Sequence, residues 1–349
     1  MPDLITIDGS QGEGGGQILR TSVGLAAALG KAVRIINIRA RRPQSGLRPQ
    51  HLWAVRAAAA VCDGRLEGDE AGSGVLTFRP GEIRPGQYRF DIGTAGSTTL
   101  VIQTILPALV IAAGESDVTV TGGTHNPMAP CFEYLRDVFG VLASAANVQI
   151  YLEMIRPGFY PAGGGEVRLA VSGVDPDDLG PLRYRARGDL KSIQGLSAAS
   201  KSLPAHIIER QAARALSRLE AAGYRASIEQ AAWESYSPGT AVFLRAVFSK
   251  TVAGFFALGA LGKPAEKVAD EAVDGLLAFL VSGAAVDAHA ADQLITLAAL
   301  CPGPSALSAE RITDHLLANA EVIRQLTGRE IRIEGQPDKP GTVTVEAVE

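Results

Sequence analysis

The chain of 349 residues has few cysteines, few aromatic residues and no long apolar run. Its cysteines, Cys62, Cys131 and Cys301, are odd in number and far apart, which excludes a disulfide framework and a zinc pattern and favours a reducing compartment. The longest apolar run, residues 100–113, contains a glutamine and a proline and is too short to cross a bilayer. Residues 1–8 carry no basic segment and no cleavable apolar stretch, so no signal peptide is predicted. We therefore expect a soluble, cytoplasmic protein with no membrane partner.

The chain also lacks the excess of positive charge that is typical of a general nucleic-acid coat. It has 33 Lys and Arg against 37 Asp and Glu, for a net charge of −4. The basic residues are unevenly placed, however, since residues 31–56 contain seven of them and no acid. Several of these arginines lie in a loop rich in proline, glycine, serine and glutamine, where they can converge. This stretch predicts a local cationic patch, and the alternative is a solvated basic face.

A run of glycines is the densest feature of the sequence, with five glycines among residues 9–16. It separates a short apolar strand from a helix rich in alanine and leucine. Glycines let backbone N–H groups approach a polyanion, and the helix N-terminus adds its positive end. Glu13 lies inside the run as a possible ligand of a phosphate-bridging metal, and Arg20 follows one turn into the helix. The run fits neither standard phosphate-loop spacing, so an ordinary strand-to-helix turn with Glu13 as a first-turn carboxylate stays open.

An internal repeat organises the chain, whose length predicts two domains or one domain with an insertion. We predict an α/β (α+β) fold in which a large domain of three repeated βαβαββ-like units, residues 1–183 and 263–349, carries a small inserted βαββ domain, residues 184–262. The helix at 264–281 is assigned to the third unit. The other helices of the units are predicted at 14–30, 49–62, 96–114, 130–145, 290–300 and 314–327.

Two histidines occupy matching places in the first and third units, each in the first turn of the second helix. His51 follows Pro49, a residue suited to a first helical position, and His315 follows two residues that can cap a helix. A histidine beside the positive end of a helix stays neutral near pH 7, and a neutral imidazole is a nucleophile. The alternative for each histidine is a packed or capping residue.

Taken together, these residues resemble the RNA 3′-terminal phosphate cyclase family over essentially the whole chain. The resemblance is more specific than a lone glycine pattern because several long motifs occur in the same order. These motifs are DGSQGEGGGQILR at 8–20, IRARR at 38–42, GLRPQHL at 46–52, GTAGS at 93–97, Gln103, GGTHNP at 122–127, GFYPAGGG at 158–165, ADQ at 291–293 and HLLAN at 315–319.

The resemblance implies a three-repeat fold with a small insertion, and a reaction that uses ATP and a divalent metal, Mg or Mn. A histidine attacks the α-phosphorus of ATP, the adenylyl group moves to an RNA 3′-phosphate, and the neighbouring 2′-hydroxyl then releases AMP and closes a 2′,3′-cyclic end. The match implies His315 as the nucleophile and Glu13 as a metal ligand. The residues implied to contact phosphates of ATP or of the RNA end are Arg20, Arg39, Arg42, Gln50 and His51. Those implied to line the nucleotide site are Gln103, Pro130, His289, Ala290, Ala291, Asp292 and Gln293.

One position departs from the family pattern, which often has a tyrosine where this chain has His289, so that the ring available to stack on adenine is smaller. The family includes non-catalytic RNA-binding relatives in ribosome assembly that lack the catalytic histidine, and His315 favours the active branch.

Besides a cyclase and a non-catalytic RNA-binding factor, an enolpyruvyl transferase, which shares the three-repeat architecture, is a third interpretation. We expect ATP and RNA 3′-phosphate ends as partners and no obligatory protein partner. Low RNA sequence specificity is expected because the sequence has no aromatic stripe.

Overall fold

Three units with a similar order of strands and helices form the large domain. The computed structural model describes residues 4–12 and 15–348. The first unit comprises β1 (Ile5–Asp8), α1 (Gly16–Leu29), β2 (Val33–Ile36), α2 (Pro49–Val61), β3 (Arg65–Glu67) and β4 (Leu76–Arg79). The second comprises β5 (Gln87–Asp91), α3 (Thr98–Val110), β6 (Glu115–Gly122), α4 (Phe132–Tyr134), a π-helical segment (Leu135–Phe139), α5 (Gly140–Ala143), a 3₁₀ turn (Ser144–Ala146), β7 (Gln149–Arg156) and β8 (Gly165–Ser172). A 3₁₀ turn (Pro176–Asp178) leads to the third unit.

The third unit is interrupted after its first strand by an insertion. It comprises β9 (Arg183–Tyr184), α8 (Ala288–Ala298), β14 (Ser305–Ala309), α9 (Asp314–Thr327), β15 (Ile331–Gly335) and β16 (Gly341–Val345). The insertion comprises β10 (Leu190–Ser200), α6 (His206–Ala221), β11 (Ala226–Trp233), β12 (Thr240–Phe248), β13 (Val252–Leu258) and α7 (Ala265–Ser282).

The sheets of the three units have one topology. In each, the first and second strands pair in parallel, and the fourth strand lies antiparallel between the second and the third. The strand orders are β1-β2-β4-β3, β5-β6-β8-β7 and β9-β14-β16-β15. A parallel pair needs a crossover connection, which the first helix of each unit supplies. The predicted α/β class and the three βαβαββ units are confirmed.

The insertion differs from the predicted βαββ module in two ways. It has a fourth strand, β13, which pairs antiparallel with β12 at the edge of the sheet β11-β10-β12-β13. In addition, α7 packs with α6 against this sheet, so the assignment of that helix to the third unit is wrong. Its apolar residues, including Val268, Leu276 and Phe279, join Val242 and Leu244 of β12 in a core of their own. The exact domain boundaries remain a prediction.

Helix α1 lies at the centre of the large domain and contacts α2, α3 and α9. All of its residues from Ile18 to Ala28 are buried except Arg20. At Gly24 a Cβ atom would lie 2.5 Å from the Thr104 carbonyl oxygen of α3, so glycine permits this close approach. Although α1 is buried on most sides, neither it nor any other helix within the described part of the chain is long and apolar enough to cross a membrane.

Arg329, between α9 and β15, fastens the C-terminal end of α8 to the last residues of the chain. Its guanidinium donates hydrogen bonds to the carbonyl oxygens of Ala298, Ala299, Cys301, Gly303 and Glu346. We expect Arg329→Met to lower the free energy of unfolding by about 3 kcal/mol, because several buried acceptors lose their donor. Urea denaturation measures this loss. The control is Arg332→Met, which removes an exposed guanidinium from its ion pairs with Glu330 and Glu346 and should cost less than about 1 kcal/mol. Equal losses in both variants would contradict the assignment.

Candidate active site

The N-termini of helices from the first and third units meet at the glycine run. A Cβ atom on Gly12 would lie 3.5 Å from the Asp314 carbonyl oxygen at the start of α9. A Cβ atom on Gly16, the first residue of α1, would lie 2.2 Å from Nε2 of His51 in the first turn of α2. Three helices therefore begin at one place. Because each helix N-terminus presents unpaired N–H groups and partial positive charge, this is a favourable place for an anion.

His315 lies in the first turn of α9, and its side chain is 41% exposed. Its Nδ1 lies 3.8 Å from Oδ2 of Asp292, a carboxylate of α8 whose side chain is only 9% exposed. The other oxygen, Oδ1, accepts a hydrogen bond from the hydroxyl of Thr313 at 2.5 Å, and that hydroxyl caps α9 by accepting from the N–H of Leu316 at 2.9 Å. The carboxylate thus faces Nδ1, which leaves Nε2 on the far side of the ring.

A buried amide holds this pair in register with α1. The side chain of Asn319 in α9 donates from Nδ2 to the Asp292 carbonyl oxygen at 2.7 Å. Its Oδ1 accepts from the hydroxyl of Thr21 at 2.7 Å and from Nε2 of Gln17 at 3.3 Å, both in α1. The network joins the first unit to both helices of the third. Asn319 closes the HLLAN motif, but no sequence pattern indicated a role for it, for Thr21 or for Gln17.

The arginine loop, defined as residues 39–48, lies over the glycine run. Arg41 donates from Nη1 to the Gly12 carbonyl oxygen at 2.8 Å. The guanidinium of Arg42 lies against Gly15, where an added Cβ atom would be 3.2 Å from Nη2. The stretch predicted as a cationic patch and the glycine run predicted as a phosphate loop are therefore in contact.

Two further predicted arginines crowd the same place. Arg39 donates from Nη1 to the carbonyl oxygens of Gln44 and Gly46, at 2.6 and 3.0 Å, and so shapes its own loop. Burial, followed by the charges of Arg48 and Arg42, lowers the pKa of Arg39. Burial, followed by the charge of Arg39, lowers the pKa of Arg20 to about 10. Clustered like charges at a partly buried site are typical of a place that receives an anion.

His51 differs from His315 although both occupy equivalent places in their units. It is 7% exposed, and its Nδ1 accepts from the Arg48 N–H at 3.3 Å as part of the N-terminal cap of α2. Burial, followed by the charges of Arg20, Arg39 and Arg48, lowers the pKa of His51 to about 3, so the ring is neutral near pH 7. His51 is therefore a packed, capping imidazole, whereas the side chain of His315 is 41% exposed.

Two glutamines predicted for the nucleotide site, Gln103 and Gln293, line a cavity of about 50 Å³ together with Gln17 and Arg20. Within the described residues, Nε2 of Gln103 and Oε1 of Gln293 are buried without a hydrogen-bond partner. The cavity has room for a few water molecules and is too small for a nucleotide. It can receive at most one polar end of a larger ligand.

His289 lies beside a cluster that joins the insertion to the third unit. Its ring stacks on Phe256 of β13 at 5.8 Å and meets the edge of Tyr134 at 5.7 Å, measured between ring centroids. Asp287 caps α8 through the Ala290 N–H at 2.9 Å and also accepts from the hydroxyl of Tyr134 at 2.5 Å. Sequence reasoning missed Phe256 and Tyr134, because no local pattern indicates that the insertion reaches this position.

The remaining predicted residues occupy the borders of the site. Ala290 and Ala291 are buried in the first turn of α8. Gln50 accepts from the Ser97 N–H at 3.1 Å, and the buried Pro130 accepts through its carbonyl oxygen from the hydroxyl of Thr99 at 2.8 Å. The polar atoms of both residues are thus directed to the start of α3.

Glu13, the predicted metal ligand, lies outside the described residues. In the ranges that are described, no group of three or more His, Cys, Asp or Glu side chains is arranged to hold a metal ion. The nearest described acid along the chain, Asp8, accepts from the Ser10 N–H and the Asn37 side chain, which supports the local turn. The described residues therefore do not by themselves fit a metal.

Comparison with known proteins identifies the family. Residues 11–333 match the family described as RNA 3′-terminal phosphate cyclase. Proteins of that name are similar over most of both chains: 49% identity in Methylococcus capsulatus, covering 92% of this chain and 90% of the relative, and 45% in Hyperthermus butylicus, covering 93% and 91%. A solved enolpyruvyl transferase, NikO from Streptomyces tendae, aligns at 9% identity over 99% of this chain and 66% of its own, with a TM-score of 0.23 that supports no argument. The chain belongs to the RNA 3′-terminal phosphate cyclase family.

Proposed function

We propose that this protein uses ATP to convert an RNA 3′-terminal phosphate to a 2′,3′-cyclic phosphodiester, through AMP held covalently on His315. The observation that carries the proposal is the pairing of an exposed imidazole with a buried carboxylate, Asp292, where three helix N-termini and the arginine loop converge. A nucleophile and a phosphate-binding surface are thereby combined in one site.

The first step is attack of Nε2 of His315 on the α-phosphorus of ATP, with pyrophosphate as the leaving group. The attacking nitrogen must carry a lone pair, so the ring proton must reside on Nδ1. A carboxylate facing Nδ1 favours that tautomer and stabilises the positive charge that the ring acquires as the P–N bond forms. Asp292, which is held by Thr313 and Asn319, would take this role.

The second and third steps use the stored AMP to make a good leaving group. A terminal phosphomonoester is a poor electrophile until it carries a better leaving group. An oxygen of the RNA 3′-phosphate attacks the AMP phosphorus, a P–O bond forms as the bond to Nε2 of His315 breaks, and the products are an RNA capped with AMP and the regenerated imidazole. The adjacent 2′-hydroxyl then attacks the RNA phosphorus, and AMP departs. Each transition state concentrates negative charge on phosphoryl oxygens, which Arg20, Arg39 and Arg42 would offset together with the helix N-termini.

The remaining assignments are part of the same proposal. Gln103, Pro130, Ala290, Ala291 and Gln293 would border the bound nucleotide, and His289, backed by Phe256, would offer an aromatic face to the base. Gln50 and His51 would support the phosphate end of the site. A divalent metal, with Glu13 as a ligand, would supply charge neutralisation when bound. A reducing cytoplasm is proposed as the location, which the three unpaired, buried cysteines support.

The rival function is that of a non-catalytic RNA-binding factor. The two functions are distinguished by an assay on an RNA oligonucleotide whose 3′-terminal phosphate is radiolabelled. A cyclase incubated with ATP makes the label resistant to phosphatase and releases one AMP for each cyclised end. Without ATP the label stays sensitive. Binding of the oligonucleotide with no ATP-dependent resistance would favour the binding factor.

The arginine loop should contribute much of the affinity for the phosphate end. We expect Arg39→Ala plus Arg42→Ala to weaken binding of a 3′-phosphorylated oligonucleotide. The salt slope, which is the fall of log affinity with log salt concentration, should decrease by about 1.4, since each phosphate contact to a single strand contributes about 0.7. Fluorescence anisotropy between low and moderate salt measures both. Arg42→Ala alone separates charge loss from loop opening, because Arg39 also holds the loop carbonyls.

The matched control for this pair removes two arginines elsewhere. Arg84 and Arg332 are exposed and each is already paired, with Asp63 and Glu330 respectively. Their double replacement by alanine should leave the salt slope within about 0.3 of the unmodified protein. If the arginine-loop variant keeps the original slope, the loop is only a solvated basic face.

A further inference from the structure

Three loop motifs that the proposed chemistry does not use lie together next to the arginine loop. They are residues 93–97, 122–127 and 158–165. The first joins the site directly, since the Ser97 N–H donates to Gln50, one residue before His51. The third packs on the first, because a Cβ atom on Gly163 would lie 2.8 Å from the Ala95 Cα atom. A continuous surface therefore leads from the phosphate end of the site to residues 158–165.

The insertion completes this surface from the other side. Ser237 accepts from the Ala162 N–H at 2.9 Å, which ties the turn after β11 to the 158–165 loop. Beneath it, the ring of Phe159 stacks on buried His125 at 5.2 Å and lies 6.2 Å from Trp233 of β11. The two loops are therefore held by hydrogen bonds and a buried aromatic stack, and their exposed residues are presented on a fixed base.

Two large aromatic side chains stand exposed on these loops. Tyr160 is 72% exposed and Tyr236 is 67% exposed. The ring of Tyr236 lies against Gly164, where an added Cβ atom would be 2.2 Å from Cδ2. The guanidinium of Arg156 lies 4.7 Å from the centre of the same ring and donates to the Gly164 carbonyl oxygen at 2.6 Å. A ring so fixed, yet mostly exposed, loses little conformational freedom when it contacts a ligand.

We propose that Tyr160 and Tyr236 form a stacking platform for the bases that precede the 3′-terminal phosphate of a single-stranded RNA. The inference rests on the proposed function for its substrate and extends it to the body of that substrate. Every base has a π-face, so such a platform binds RNA with little sequence preference. The sequence contains no aromatic stripe, but the fold brings together two tyrosines that are far apart along the chain.

The charges around the platform favour a polyanion. Arg156 lies on the platform, and Arg48 is exposed at the adjoining end of the arginine loop. Two nearby carboxylates are already in ion pairs, Glu234 with Lys201 at 2.8 Å and Glu166 with Arg89 at 3.3 Å. Positive charge beside exposed aromatic rings is the combination that single-stranded nucleic acids select.

The test compares a long and a short RNA end. The unmodified protein and the Tyr160→Ala plus Tyr236→Ala variant are titrated by anisotropy with a 3′-phosphorylated octanucleotide and a 3′-phosphorylated dinucleotide. We expect the variant to lose about tenfold or more in affinity for the octanucleotide and less than about twofold for the dinucleotide. Tyr151→Ala is the matched control, because Tyr151 is 60% exposed near the start of β7, opposite Ala170 of β8, whereas Arg156 of the platform lies at the end of that strand. It should bind both oligonucleotides normally.

Equal affinity of the tyrosine variant and the unmodified protein for the octanucleotide would overturn the platform. An equal loss for both oligonucleotides would also overturn it, because the tyrosines would then only support the end site. Tyr160→Phe plus Tyr236→Phe should restore binding, since stacking needs the ring and not the hydroxyl. Binding is measured without ATP, so the result does not depend on the proposed chemistry. The platform can therefore be supported when cyclisation is absent, and it can be rejected when cyclisation is present.

Discussion

The protein incubated with ATP labelled in its α-phosphate should acquire a covalent label that His315→Ala removes. The loss should be at least about a thousandfold, because no other described imidazole is both exposed at the site and paired with a carboxylate. A denaturing gel separates bound label from free nucleotide. A phosphorus–nitrogen bond is labile in acid and stable in alkali, so both treatments should identify the linkage.

His51→Ala provides the control that the repeat itself supplies. His51 occupies the equivalent place in the first unit, but it is buried, neutral and engaged by the Arg48 N–H. Its replacement should leave the covalent label in place, even if the cap of α2 is weakened. Label that persists in His315→Ala, or that disappears only in His51→Ala, would reject the assignment of the nucleophile.

Local pattern was enough to predict much of the fold. The last helix was predicted at 314–327 and found as Asp314–Thr327, because a threonine cap, an apolar period and a terminal glycine all agree there. Helix α7 was equally well predicted as a helix, but it was assigned to the third unit, whereas it packs against the sheet of the insertion. Its apolar stripe shows which face is buried and carries no information about which sheet covers that face.

The site was predictable to the extent that motifs bring chemistry with them. The glycines, the clustered arginines and the histidine of α9 indicate phosphate chemistry from the sequence alone, without knowledge of how the units pack. The contact between Asp292 and His315, and the reach of Phe256 from the insertion to His289, depend on long-range packing. No spacing rule in one sequence connects residues on different elements, so these partners could be found only in the folded chain.

Asp292→Asn should be the most damaging substitution next to the nucleophile. An asparagine keeps the shape and can still accept from the Thr313 hydroxyl, but its NH₂ group, which is a donor, can take the place of the Oδ2 atom that faces Nδ1 of His315 at 3.8 Å. Nδ1 of His315 would then accept that hydrogen bond, and the ring proton would move to Nε2, the nitrogen that must attack. The single-turnover rate of covalent labelling should fall by about 10³- to 10⁴-fold, while affinity for ATP changes little.

Asp292→Ala tests this prediction further. A packing role for Asp292 and a tautomer-setting role predict opposite orders for the labelling rates of the alanine and asparagine variants. If Asp292 mainly fills space and anchors Thr313, the asparagine variant should be the milder one. If it sets the tautomer, alanine leaves the ring free to hold its proton on either nitrogen and should retain more activity than asparagine. The expected order of labelling rates is therefore Asp, then Ala, then Asn, with urea denaturation run on each variant to confirm that it is folded. An asparagine variant faster than the alanine variant would assign Asp292 to packing alone.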